Sequence, residues 1–179
     1  LGWVQKNIAS FGGDPGCVTI MGESAGSWST LYHLLSPASS GLFHRVIAQS
    51  GAPLAPVFRW KPLEKSIRIG QAFARSVNCT GQPDDITQCM RNLPFETLLL
   101  ATYALDDPTD RDRNIDYFNA VLDGDFLPKS PEELFQAGEY NKVPVLFGCN
   151  KDEGLFISYQ AILDPSLYQE WRDNWDHYG

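Results

Sequence analysis

Gly22-Glu23-Ser24-Ala25-Gly26 sets a serine between two glycines, directly after the apolar run Val18-Thr19-Ile20-Met21 and before a stretch compatible with a helix. That order suits a nucleophile elbow, a tight strand-to-helix turn that lifts a hydroxyl above a sheet. The flanking glycines leave no side chains to clash where the chain reverses. The amide of Ala25 then falls at the start of the helix, where backbone N–H groups lack intrahelical partners and the dipole favours negative charge, so Ala25 is the candidate donor to an oxyanion. A serine hydroxyl is a poor nucleophile until a histidine takes its proton, and a carboxylate must orient and stabilise the resulting imidazolium. Asn150-Lys151-Asp152-Glu153-Gly154 follows the later apolar run Val143-Pro144-Val145-Leu146-Phe147. In a parallel sheet this turn lies at the carboxyl end of its strand, on the same edge as the serine turn, which makes Glu153 the candidate acid.

The sequence contains three histidines, and none suits the part of base. His33 belongs to the helix that starts at Ala25, about 13 Å along its axis from Ser24, and reads as a surface or packing residue. His44 stands at the entry of a strand, the end opposite to the chemistry. His177 follows Glu153 closely, at the frayed end of a helical stretch.

The elements that must position these residues are legible from pattern. Phe11-Gly12-Gly13-Asp14-Pro15 supplies turn residues before the first strand, and Ser36-Pro37 stops the helix begun at Ala25. Phe43 to Gly51 reads as a second buried strand, so strand, helix and strand form a parallel crossover. Leu63 to Val77 reads as a helix, followed by short helices over Asp84 to Asn92 and Pro94 to Leu100, with Asp84 as a candidate start. Leu105 to Asp116 is charged and reads as a solvated loop. Tyr117 to Leu122, Asp123-Gly124 and Phe126-Leu127-Pro128 suggest an extended piece with a tight reversal. Pro131 to Ala137 reads as a helix capped by Ser130 and closed near Gly138, leading into the Val143 to Phe147 strand.

Taken whole, Asn7-Ile8-Ala9-Ser10-Phe11-Gly12-Gly13-Asp14-Pro15 followed by Val18-Thr19-Ile20-Met21-Gly22-Glu23-Ser24-Ala25-Gly26 resembles the type-B carboxylesterase and cholinesterase family. The resemblance implies an α/β-hydrolase fold, a central, mostly parallel sheet with flanking helices. Residues 1–179 would be the central part of one catalytic domain, lacking its first strands and its last. It also implies a Ser-Glu-His triad acting on carboxylic esters, with Ser24 as nucleophile and Glu153 in the N-x-D-E-G motif as acid. The histidine, and the glycine-rich loop that completes the oxyanion hole, would lie outside these residues, so the isolated chain is expected to be inactive. The sequence also opens inside an amphipathic helix and has no initiator methionine, as the middle of a longer protein would.

Further positions follow from the same resemblance. Glu23 matches an acidic residue lining the family's gorge, and Ser50 in Gln49-Ser50-Gly51 matches a buried serine near the triad. Phe156 falls where cholinesterases hold an aromatic ring against a quaternary ammonium. The cholinesterase acyl-pocket aromatics would fall near Asn114 and Asp116, neither of them aromatic, which favours a general carboxylesterase over a cholinesterase. The family also contains adhesion proteins that keep the fold and usually lose the serine; Ser24 and Glu153 argue for an enzyme. The chemistry requires neither a metal nor an organic cofactor.

A formal net charge of −8 and a pI near 4.7, with no basic cluster, argue against nucleic acid and anionic membrane surfaces as partners. The expected partner is a small ester. No apolar run approaches the roughly 20 residues that span a bilayer. Cys79 and Cys89 flank a short stretch with turn residues, and are read either as a small disulfide loop or as two reduced thiols. The family resemblance favours the disulfide. Asn78-Cys79-Thr80 is an N-glycosylation acceptor, and with the disulfide it points to a secreted or secretory-pathway protein. Cys17 and Cys149 would lie at opposite ends of parallel strands, about five residues of roughly 3.3 Å apart, beyond the reach of a disulfide. Both are expected as free, buried thiols.

Overall fold

The computed structural model describes residues 1–54, 60–103 and 118–155, together with positions 159, 163, 169 and 172. The chain opens with helix α1 (Gly2–Asn7) and a short 3-10 turn, then enters strand β1 (Thr19–Glu23), helix α2 (Ala25–Leu35) and strand β2 (Arg45–Gln49). A two-residue strand β3 (Lys61–Pro62) leads into α3 (Leu63–Ser76), α4 (Pro83–Arg91) and α5 (Phe95–Tyr103). After β4 (Val121–Leu122) come α6 (Pro131–Ala137) and β5 (Val145–Gly148). The expected loop from Leu105 to Asp116 lies outside the described residues.

Strands β1, β2 and β5 form a parallel sheet in that order, with Glu23 level with Gln49 and Gln49 level with Gly148. The parallel crossover expected from the sequence is therefore present, and all three carboxyl ends share one edge. One face of the sheet is covered by α2, where Leu31 and Leu34 close over Phe43, Val46 and Ala48. The next face of the same helix, Tyr32 and Leu35, packs with Leu127 and with Leu134 of α6. A helix apolar on adjoining faces is buried between two layers.

On the other face, Met21, Ile47 and Leu146 stand in one row across the three strands. Met21 and Leu146 are 65% and 66% exposed. Parallel sheets are ordinarily covered on both faces; among the described residues this row is not.

Asn141 ties α2 to the chain that returns to β5. Its side-chain amide donates to the carbonyls of His33, Leu34 and Ser36 at 3.0 to 3.2 Å, and its backbone N–H donates to Leu34 at 2.9 Å. The last carbonyls of a helix have no partner of their own, so a residue distant in sequence supplies the C-cap of α2. In α6, Ser130 Oγ accepts from the Glu133 N–H and Glu133 accepts from the Ser130 N–H, the reciprocal capping box that stops backbone donors from going unpaired. Helix α4 starts one residue before Asp84, at Pro83, with Gln82 as its cap; the Asp85 carboxylate accepts from the Gln82 N–H.

The reversal after Leu122 is built on Asp123, whose Oδ1 accepts from the N–H groups of Asp125 and Leu127. Strand β4 does not fold back on Phe126 to Pro128 but pairs in parallel with β3. Helices α3 to α5 enclose a second apolar cluster, in which Ala74, Val77 and Cys79 meet Ile86, Met90, Leu93 and Leu98. Cys79 and Cys89 are disulfide-bonded there, with Cα atoms 5.7 Å apart.

Cys17 and Cys149 are free as expected, but both are exposed rather than buried. Cys17 sits in the turn before β1, where Arg45 donates to its sulfur at 3.1 Å. Cys149 follows β5, which has no strand on its outer side among the described residues and is exposed along its whole length. An apolar sequence there is not matched by burial.

Candidate active site

Strand β1 runs directly into Ser24, which adopts φ +55° and ψ −118° before α2 begins at Ala25. A non-glycine residue in the left-handed half of the map costs of order 1–3 kcal/mol and persists only where its surroundings enforce it. Three contacts enforce it here. The Ser24 N–H donates to Gln49 O at 2.9 Å, extending the β1–β2 ladder one step past the strand. Gly22 lies against Gly26, so close that a Cβ on Gly22 would be 2.7 Å from Gly26 Cα and nearer still to its carbonyl group. A Cβ on Gly51 would lie 2.6 Å from Ser24 O, and Ser27 Oγ donates to Gly51 O at 2.8 Å, fixing that close approach.

The end of β2 repeats the arrangement. Ser50 has φ +54°, and its N–H donates to Gly148 O at 2.8 Å. Two adjacent parallel strands thus end in serines held at positive φ, on the same sheet edge. Sequence reasoning placed Ser50 near the site but missed its strained turn and the wedge formed by Gly51. The Ser50-Gly51 pair closing an apolar run was the available signal.

Beyond β5, Asn150 to Gly154 forms a turn in which the Glu153 carboxylate folds back to accept the Asn150 N–H. The Ser50 hydroxyl also donates to Glu153; this bond first, and the Asn150 bonds next, hold the Glu153 pKa below its ordinary value. Glu153 is therefore ionised at neutral pH and tied to the edge that carries Ser24. An open depression of about 280 Å³ runs along β2 and β5, from Ile47 and Leu146 to Ser50 and Asn150 at their carboxyl ends.

Ala25 opens α2, so its N–H is one of the helix's unpaired first-turn donors. Glu23 ends β1 and is exposed. Phe156 and His177 lie outside the described residues, as do Asn114 and Asp116. His33 packs on α2 with Nδ1 2.8 Å from Ser39 Oγ and its ring edge-on to Phe126; burial lowers its pKa. His44 accepts the Val18 N–H on Nδ1 and returns its own N–H to Val18 O, clasping the entry to β1 at the far end of the sheet. Among the described residues no cluster of three His, Cys, Asp or Glu side chains is placed to hold a metal, and no helix is long and apolar enough to cross a membrane.

A serine at a strand-to-helix turn and an ionised glutamate thus share one edge of a parallel sheet. The model of the Carboxylesterase family matches residues 1–178, and the chain belongs to that family. It is 39% identical to Cholinesterase 1 of Branchiostoma lanceolatum over 160 residues, 87% of this chain and 44% of that protein. It is 42% identical to Carboxylesterase 1F of Mus musculus over 159 residues, 86% of this chain and 28% of that protein. Liver carboxylesterase 1 of Oryctolagus cuniculus shares 40% identity over 173 residues, 92% of this chain and 30% of that protein. The chain thus spans less than half the length of these relatives.

Proposed function

We propose that the protein hydrolyses carboxylic esters through a Ser-Glu-His triad, on an α/β-hydrolase fold of which this chain is the central part. Ser24 is the nucleophile and Glu153 the acid, and the base is a histidine further along the longer protein. The reading rests on one observation above the rest: Ser24 is held at φ +55° by Gly22 and Gly51, on the edge where Glu153 is fixed. Strain enforced from several sides at a potential nucleophile is characteristic of functional turns.

In the reaction, Ser24 Oγ attacks the ester carbonyl while the histidine takes its proton. The Ala25 N–H donates to the developing oxyanion, and the alcohol leaves with the proton from the imidazolium. Water then attacks the acyl-enzyme with the same histidine as base, the bond between Ser24 Oγ and the acyl carbon breaks, the carboxylic acid leaves, and the imidazolium returns its proton to Ser24. Glu153 stays ionised throughout and stabilises the imidazolium; Ser50 keeps it so. Glu23 and Phe156 line the substrate pocket, and no cofactor takes part. The substrate is a general carboxylic ester rather than a choline ester, since Asn114 and Asp116 offer no aromatic acyl pocket. The Cys79–Cys89 disulfide supports a secretory-pathway setting.

The test is hydrolysis of a p-nitrophenyl ester by the full-length protein. Ser24→Ala is expected to lower kcat on the order of 10⁶-fold and Glu153→Gln on the order of 10⁴-fold, since the nucleophile matters more than the group orienting the base. Undiminished turnover by Ser24→Ala, or turnover by the isolated chain that Ser24→Ala removes, would overturn the scheme.

A further inference from the structure

We propose that Asn78 is an N-glycosylation site whose occupancy is set by competition with closure of the Cys79–Cys89 disulfide. The acceptor triplet Asn78-Cys79-Thr80 contains one of the bridged cysteines as its middle residue. Its outer members, Asn78 and Thr80, are exposed, whereas Cys79 is fully buried.

The folded triplet is bent and anchored. Asn78 has φ +60° just past α3, a conformation that asparagine tolerates better than most residues. Its N–H donates to Arg75 O at 3.0 Å, and the Cys79 N–H donates to Ala74 O at 2.8 Å. The Cys79 side chain packs with Ala74, Val77 and Ile86. A transferase that reads the Asn78 amide and the Thr80 hydroxyl together must enclose the backbone between them, and in the folded, bridged protein that backbone is tied to Arg75 and Ala74 and its middle side chain is fully buried. Transfer therefore comes before the disulfide closes.

The donor is a lipid-linked pyrophosphate oligosaccharide. A bond forms between Asn78 Nδ2 and the sugar's C1 as the C1–O bond to the pyrophosphate breaks; the lipid pyrophosphate leaves and the amide loses one proton to a base. Once attached, the glycan projects from exposed surface beside Arg75 and Ser76, also exposed, so the fold accommodates it without repacking. This proposal is independent of Ser24 and of ester hydrolysis.

The experiment expresses the full-length protein in a secretory eukaryotic host and measures Asn78 occupancy by peptide-N-glycosidase digestion and mass spectrometry of the Asn78 peptide. Asn78→Gln and Thr80→Ala should each remove one glycan. Cys89→Ser, which leaves the triplet intact but prevents closure, should raise occupancy above that of the unaltered protein. Because Cys89→Ser also weakens the fold, a dithiothreitol pulse during synthesis of the unaltered protein serves as a second arm and should raise occupancy in the same way. An Asn78 that stays unmodified in every arm would overturn the site. Occupancy indifferent to both Cys89→Ser and reductant would overturn the competition.

Discussion

The two glycines of the serine turn are equivalent in the sequence but not in the structure, and alanine at each should change stability with opposite sign. On Gly22, a Cβ would meet the carbonyl carbon, oxygen and Cα of Gly26, all backbone atoms in the first turn of α2. No side-chain rotation relieves such a contact; the end of β1 or the start of α2 must move. Overpacking a core costs about 1–3 kcal/mol, and a clash with rigid backbone belongs at the top of that range, so Gly22→Ala is expected to cost about 3 kcal/mol. On Gly26 a Cβ would meet nothing within 4 Å, and its φ lies outside the left-handed region. Alanine there removes the entropy penalty of a helical glycine and contributes about 0.5–1 kcal/mol. The variants should differ by roughly 4 kcal/mol, with the unaltered protein between them. Urea unfolding followed by tryptophan fluorescence reads the difference as a shift in midpoint at constant m-value. Equal losses at both positions, or unaltered stability of Gly22→Ala, would refute the close approach of Gly22 to Gly26.

Asn141→Ala should lower stability by about 1–3 kcal/mol in the same assay, because it strips the C-terminal carbonyls of α2 of a shared donor; Asn141→Asp should cost more, since it sets a negative charge against the negative helix end. Ser50→Ala should raise the Glu153 pKa toward its ordinary value, read by NMR titration of the carboxyl carbon. Since the folded-state pKa lies below 4.5, these bonds stabilise the fold above that pH, and the contribution disappears as the pH falls through the folded-state value. An unmoved Glu153 titration would refute the bond to Ser50. Breaking the Cys79–Cys89 bridge as Cys89→Ser should cost about 3 kcal/mol by loop entropy, measured by thermal unfolding.

Most elements around the site are legible in the sequence because their signals are local. The apolar run before Gly22 and the stop at Ser36-Pro37 bound β1 and α2 to within a residue or two, and Ser130 marks the start of α6. What escapes is set by partners distant in sequence. Asn141 lies in an ordinary polar stretch, and only folding brings it to the end of α2. Strands β3 and β4 are two residues each, too short to show any period. The exposure of Cys149 follows from the edge position of β5, which its apolar composition does not reveal. The turns that carry Ser24 and Glu153 are readable by residue type and order; that Ser50 bonds Glu153, and that Gly51 wedges Ser24, depends on the register of adjacent strands.

The role of Ser24 is tested most directly by treating the full-length protein with an organophosphonate and locating the adduct by peptide mass spectrometry. One phosphonyl group per chain on Ser24, absent from Ser24→Ala, is the predicted result. Labelling at another residue, or none on Ser24 under conditions that label an authentic serine esterase, would contradict the assignment of Ser24 as nucleophile.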